Sequence, residues 1–245
     1  MSTAALLSTA AIIAAAYTVF GLTGFGAAMV AVPLLVQVMP LHFAVPLIML
    51  LDLVSTSLVG TKNRALVSRR ELARLSPFML VGVFLGATAL ANLNPKFALI
   101  GLGVFVIAMA LRGLLSPAAA HRPIGPGWVV PAGVGGGVFS ALFGTGGPIY
   151  TMYLSRRLPD VDAFRATISA VIFLSALARL AAFAASGLLQ QENLLWTALC
   201  VLPFGLAGLG LGAWLRRRVS AAAVKRLLLV FLSVGGCGVI VRGLS

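Results

Sequence analysis

Two ionisable side chains of opposite sign stand inside long apolar runs of this sequence. Asp52 lies near the middle of the stretch from 43 to 60, and Arg179 about two thirds of the way along 166 to 187. Each costs on the order of 3 kcal/mol on insertion scales when placed in hydrocarbon, so each needs a partner or a task. Arg179 could act as the counter-charge of an anionic ligand. Asp52 is then either its ion-pair partner or a proton-coupling group. The plainer alternatives are a static Asp52–Arg179 pair, or an Arg179 that snorkels to the outer interface.

Two glycine-rich stretches offer a second kind of chemistry: Gly21-Leu22-Thr23-Gly24-Phe25-Gly26 and Ala141-Leu142-Phe143-Gly144-Thr145-Gly146-Gly147-Pro148. Glycine permits backbone conformations that other residues avoid, and lets a ligand approach closely. The helices that follow begin near Ala27 and at Pro148, a residue suited to a first helical position. A helix start presents free N–H groups and about half a positive charge. Two such starts converging from opposite sides favour a small anion, with the hydroxyls of Thr23 and Thr145 as added donors. The candidate binding set is therefore Thr23, Gly24, Phe25, Gly26, Gly144, Thr145, Gly146, Gly147 and Arg179. The alternative is that the glycines only allow tight helix packing, the role expected of Gly82 with Gly86 and of Gly208 with Gly212.

Other chemistries lack residues. No strand precedes the glycines and no acid follows about 20 residues later, so the dinucleotide fingerprint does not apply, and there is no P-loop. Cys200 and Cys237 have no ligand-like neighbours, and His42 and His121 fall in loops with no serine pairing. No enzyme activity, metal or cofactor is expected.

The composition says what must position these groups. Of 245 residues, 60% are hydrophobic and only 9% charged, against roughly a quarter charged in soluble chains. That excludes a soluble enzyme and a disordered chain. The charge-free runs approach the ~20 apolar residues of a bilayer-spanning helix, so the expected fold is an all-α polytopic membrane protein. The net charge of +13 would suggest nucleic acid in a soluble protein. Ten of the 18 basic residues, however, sit in two short clusters, Lys62 to Arg74 and Arg216 to Arg226. Loops held in the cytoplasm explain these clusters, so the partner is the lipid bilayer and not DNA or RNA. The apolar amino terminus lacks the basic start of a secretory signal and is read as mature chain.

The apolar elements fall at about 4 to 20, 27 to 39, 43 to 60, 75 to 91, 97 to 115, 128 to 142, 148 to 155, 166 to 187, 194 to 214 and 227 to 244. A Pro- and Gly-rich stretch, 116–127, divides the chain almost in half. Sliding the halves by 120 residues superposes the two glycine-rich stretches, and Gly82 to Ala87 matches Gly208 to Ala213 at an offset of 126. These matches in one order indicate a duplication. The basic clusters do not sit at equivalent places in the halves: the loop Ser186 to Asn193 has no Lys or Arg, and Ala91 to Lys96 has one. If both clusters are cytoplasmic, the repeats must be inverted.

The expected organisation follows from that trace. A first repeat, 1–115, holds a glycine-broken helical hairpin (4–39) and three transmembrane helices (43–60, 75–91, 97–115). A cytoplasmic linker, 116–127, leads to a second repeat, 128–245, with a hairpin at 128–155 and helices at 166–187, 194–214 and 227–244. The hairpins enter from opposite faces with their bends deep in the membrane. Loops 62–74 and 216–226 are cytoplasmic and both termini periplasmic. Trp196 and Trp214, 18 residues or roughly 27 Å apart, fit as anchors at the two interfaces.

The motifs Gly21 to Gly26 running into Val32-Pro33-Leu34-Leu35, and Gly144-Thr145-Gly146-Gly147-Pro148, resemble the paired glycine-rich motifs of the TauE/SafE family of membrane exporters. The resemblance spans essentially the whole chain. It implies export of sulfite or of organosulfonates such as sulfoacetate from bacteria, and points to Gly24, Gly26, Gly144, Gly146 and Gly147. The expectation is an inner-membrane secondary transporter of inverted repeats with a midplane anion site, working by alternating access. Outward movement of one negative charge gains about 2.3 kcal/mol per 100 mV, so such export needs no coupling ion. An anion channel, or a proton-coupled permease for another small oxyanion, remains as an alternative. The modest size fits a homodimer.

Overall fold

The computed structural model describes residues 3–24, 26–61, 64–115, 124–216, 218–219, 232 and 235–243. Among them nine α-helices have full bounds: α1 (Thr3–Thr23), α2 (Ala27–Leu35), α3 (Leu41–Thr61), α4 (Arg69–Asn92), α5 (Pro95–Leu115), α6 (Val129–Phe143), α7 (Gly147–Leu154), α8 (Val161–Ala185) and α9 (Leu194–Leu215). Residues 235–243 are also helical, and the described residues contain no strand. The protein is an all-α polytopic membrane protein. Phe25, the linker to residue 123, most of the 216–226 cluster and the first part of the 227–244 element lie outside the described residues.

Among the described residues seven helices are long and apolar enough to cross a bilayer: α1, α3, α4, α5, α6 with the 3-10 turn before it, α8 and α9. The nine residues of α2 and eight of α7 reach only about 14 and 12 Å, less than half a ~30 Å core. Each of these two short helices directly follows a glycine bend. α1, at 21 residues, is longer than its apolar pattern of 4 to 20 suggests, because the helix continues through Gly21 to Thr23.

Charged residues are absorbed into helix starts rather than left in loops. α4 begins at Arg69, six positions before the charge-free run, with Arg69 and Arg70 exposed and Glu71 turned inward. α8 begins at Val161, where Asp160 caps the helix by accepting the Asp162 N–H at 3.1 Å and Asp162 lies in the first turn. Acids at a helix start meet the unpaired N–H groups and the positive end of the dipole.

Glycine contacts decide how the helices pack. A Cβ on Gly208 or Gly212 of α9 would strike the backbone of Ala14 and Thr18 on α1, and one on Gly82 or Gly86 of α4 would strike Val134 and Val138 on α6. Both pairs are therefore close-packing glycines. Contacts on α9 and α1 rise together in number, as do those on α4 and α6, so each pair runs parallel. α3 and α8 run antiparallel: Gln191 after α8 donates to the His42 carbonyl at 2.6 Å, and the Ser68 N–H after α3 donates to Thr167 Oγ1 at 2.9 Å. The outer faces of α4, α5 and α9 expose Leu85, Val104 and Leu199, as lipid contact requires. Trp196 and Trp214 are exposed near opposite ends of α9, and Arg218 stacks on the Trp214 ring at 4.1 Å.

Candidate anion site

The bends end their helices by the same device. Gly24, φ +85°, closes α1 with its N–H bonded to the Phe20 carbonyl at 2.7 Å. Gly144, φ +68°, closes α6 with its N–H on the Ser140 carbonyl at 2.9 Å. These left-handed conformations suit glycine, because a Cβ crowds the following carbonyl there. The two bends touch: a Cβ on Gly144 would lie 2.9 Å from the Ala28 Cβ and 3.7 Å from Arg179 Nη1.

Where they meet, a cavity of about 20 Å³ adjoins Gly26, Asp52, Gly144, Thr145, Gly147 and Arg179. Six sequence-predicted positions thus converge from five elements. The depth of the cavity is set by Asp52, near the middle of α3. Thr23, Gly24 and Gly146 do not line it. The Thr23 hydroxyl donates to the Val19 carbonyl at 2.9 Å. Gly146 has φ −66° and is needed for space: a Cβ would meet the Gly136 carbonyl.

Asp52 and Arg179 form an ion pair, Nη2 to Oδ2 at 3.1 Å, with side chains 7% and 1% exposed. The other carboxylate oxygen accepts the Tyr17 hydroxyl at 2.9 Å. Arg179 Nη1 donates to the Ser140 carbonyl at 3.4 Å, and Nε has no partner. A buried N–H without an acceptor costs about 1 to 3 kcal/mol, more on a charged group. The buried Thr145 hydroxyl is also without a partner, and that of Tyr150, beside Ser175, makes no full hydrogen bond. Ser140 and Ser175 hydroxyls bond each other at 2.8 Å. Three polar groups with unused capacity thus face a space that holds about one water. The cavity is too small for a sulfur oxyanion, so loading it requires the walls to part.

Three contributors were absent from the sequence-derived set: Tyr17, Tyr150 and the Ser140–Ser175 pair. A second cluster was absent as well. Glu71, buried in the first turn of α4, accepts Tyr153 at 2.7 Å and Arg157 Nη2 at 2.8 Å, with Arg74 at 3.4 Å. Arg157 Nη1 also donates to the Ile124 carbonyl at 3.2 Å. Its hydrogen bonds to Glu71 raise the Arg157 pKa further above its ordinary value. One signal was available: the chain has only three tyrosines, and all three belong to these two clusters.

The all-helical fold, its apolar spans and the two glycine-rich bends can be set beside one known family. The profile of the family described as Sulfite exporter TauE/SafE matches residues 9–239, which include both bends, Asp52 and Arg179. The chain belongs to the TauE/SafE family. It is similar to the "Probable inner membrane transporter protein TsaS" of Comamonas testosteroni, with 31% identity over 191 residues, 78% of this chain and 80% of that protein. No solved structure matches. As a TauE/SafE protein it is a membrane transporter, and the cavity between the bends is the natural place to look for its cargo.

Proposed function

We propose that this TauE/SafE protein is an inner-membrane secondary transporter that exports a small sulfur-containing anion, sulfite or an organosulfonate such as sulfoacetate. The observation that carries the reading is the unpartnered Nε of a fully buried arginine, between the two bends and beside the free Thr145 hydroxyl. A guanidinium fork with converging hydroxyls and helix starts suits an oxyanion of three or four oxygens.

Alternating access is supported by the packing directions. α1 runs with α9 and α4 with α6, while the short loops reverse α3 into α4 and α8 into α9 across an antiparallel α3–α8 pair. α1 and α6 then point in opposite senses, the relation inverted repeats require. Loops 62–74 and 216–226 belong on the cytoplasmic side and the termini on the periplasmic side by their charge. The small cavity favours an occluded carrier state over an open pore.

Exchange of labelled sulfite in proteoliposomes, with a thermal-stability screen against sulfite, sulfoacetate, taurine, sulfate and phosphate, tests the assignment. Saturable exchange with stabilisation by sulfite or sulfoacetate is expected. Unitary currents would show a channel, and stabilisation by zwitterionic taurine alone would defeat the anion site. For orientation, a cysteine at Gly187 or Asn94 should label from outside.

A further inference from the structure

We propose that the transported anion displaces Asp52 from Arg179 and that Asp52 takes up a proton as it leaves, so each anion travels with one proton. The inference rests on the anion-site reading above. Its basis is the geometry of the guanidinium. Nε and Nη2 form one edge of the arginine fork, the edge that grips an oxyanion with two parallel hydrogen bonds. Here Nε is empty and Nη2 is held by Asp52 at 3.1 Å. Asp52 occupies half of the seat that the anion needs.

Charge counting supplies the proton. In the structure the buried pair is neutral. A monoanion on Arg179 beside a charged Asp52 would leave one uncompensated negative charge in the protein interior, which is strongly unfavourable. The groups facing Asp52 are Tyr17 from α1, already donating to Oδ1, and Arg179 from α8. α2 and α6 carry no titratable side chain, α9 carries only Cys200, and Tyr150 of α7 lines the same cavity. Among the described residues no second cation is at hand, so neutrality returns when Asp52 accepts a proton from the aqueous face that is open. The neutral carboxyl keeps the Tyr17 bond on Oδ1, and its new O–H on Oδ2 can donate to an oxygen of the bound anion.

Two consequences follow. A monoanion and its proton together carry no charge, so membrane potential does not drive their flux, in contrast to the uncoupled export expected from the sequence. Because the loaded state holds one more proton than the empty one, affinity rises as pH falls and drops up to tenfold per pH unit above the Asp52 pKa of the empty protein.

Methanesulfonate, whose own charge is constant across the range, is the probe. Calorimetry on the purified full chain, in buffers of different ionisation enthalpy, should show about one proton taken up per anion bound. The Kd should rise by as much as about 100-fold from pH 6 to pH 8. The D52N variant should bind with no proton uptake and no pH slope, and at pH 8 more tightly than the parent. Binding without proton uptake by the parent, or a slope that survives in D52N, overturns the inference and leaves the anion site standing. If D52N does not fold, the parent's proton count alone decides. Failure of both methanesulfonate and sulfite to bind the parent removes the anion site, and the inference with it.

Discussion

The protein contains two clusters of the same composition, an arginine, a carboxylate and a tyrosine, and they differ in what is left over. In the central one, Arg179 gives Nη2 to Asp52 and Nη1 to a backbone carbonyl, and Nε has no partner beside a cavity. In the outer one, Arg157 directs Nε and Nη2 to Glu71 and Nη1 to the Ile124 carbonyl. The Arg157 guanidinium is used on every nitrogen and the Arg179 guanidinium is not. The outer cluster is a tie, fastening the end of α7 to the first turn of α4. Under the proposed function the central one is a seat. One short helix joins them, since α7 brings Tyr150 to the cavity and Tyr153 to Glu71.

The hardest test of this contrast is Arg179→Ala. It strands the Asp52 charge in the interior, and breaking a buried pair by removing one partner costs about 3 to 5 kcal/mol. A large drop in thermal stability and complete loss of sulfite exchange are expected. Arg179→Lys keeps the charge without the fork, so it should fold yet lose at least tenfold in affinity. An R179K protein with parental affinity would mean that the fork is not the seat. Gly144→Ala comes next. The added methyl must adopt φ +68° and sits 2.9 Å from the Ala28 Cβ, so a loss of about 1 to 3 kcal/mol is expected. Gly125→Ala, with an extended φ of −63° and nothing near the new methyl, is the matched control and should be silent.

Much of the central seat was legible in sequence because a charge inside an apolar run is costly enough to demand a partner. Asp52 and Arg179 lie 127 positions apart, yet the duplication expected from the sequence already paired their helices. Serines give no such signal. Ser57 and Ser76 satisfy themselves on carbonyls four residues back, whereas Ser140 and Ser175 bond across helices, and one-letter codes do not separate the two outcomes. Thr23 and Thr145 both sit in the glycine-rich stretches but diverge in structure. α1 stays helical through Thr23, which leaves it the Val19 carbonyl as an acceptor. α6 stops at Phe143, so Thr145 stands past the last turn with no such acceptor. Glu71 was hidden by its basic neighbours, which read as loop; only the start of α4 at Arg69 turns it inward.

The outer tie should respond differently from the seat. In Glu71→Gln the amide still accepts from Tyr153, but Arg157 loses its counter-charge. Because Arg157 is 22% exposed, water recovers part of the loss, and about 1 kcal/mol of stability is expected to go. Anion affinity at the central site should stay within twofold of the parent in calorimetry. A tenfold loss of affinity in E71Q would merge the clusters into one functional unit.

The smallest effect is expected from Thr145→Val, and its sign discriminates most finely between packing and binding. The Thr145 hydroxyl is buried without a partner, so replacing it with a methyl of the same shape removes an unsatisfied polar atom and should leave the empty protein equally stable or slightly more so. If that hydroxyl is kept for the anion, the same change should weaken sulfite binding by about 1 kcal/mol, roughly fivefold. Thermal stability without ligand and affinity with ligand must therefore move in opposite directions. A variant that loses stability and keeps its affinity would place Thr145 in the packing of the bend and outside the seat.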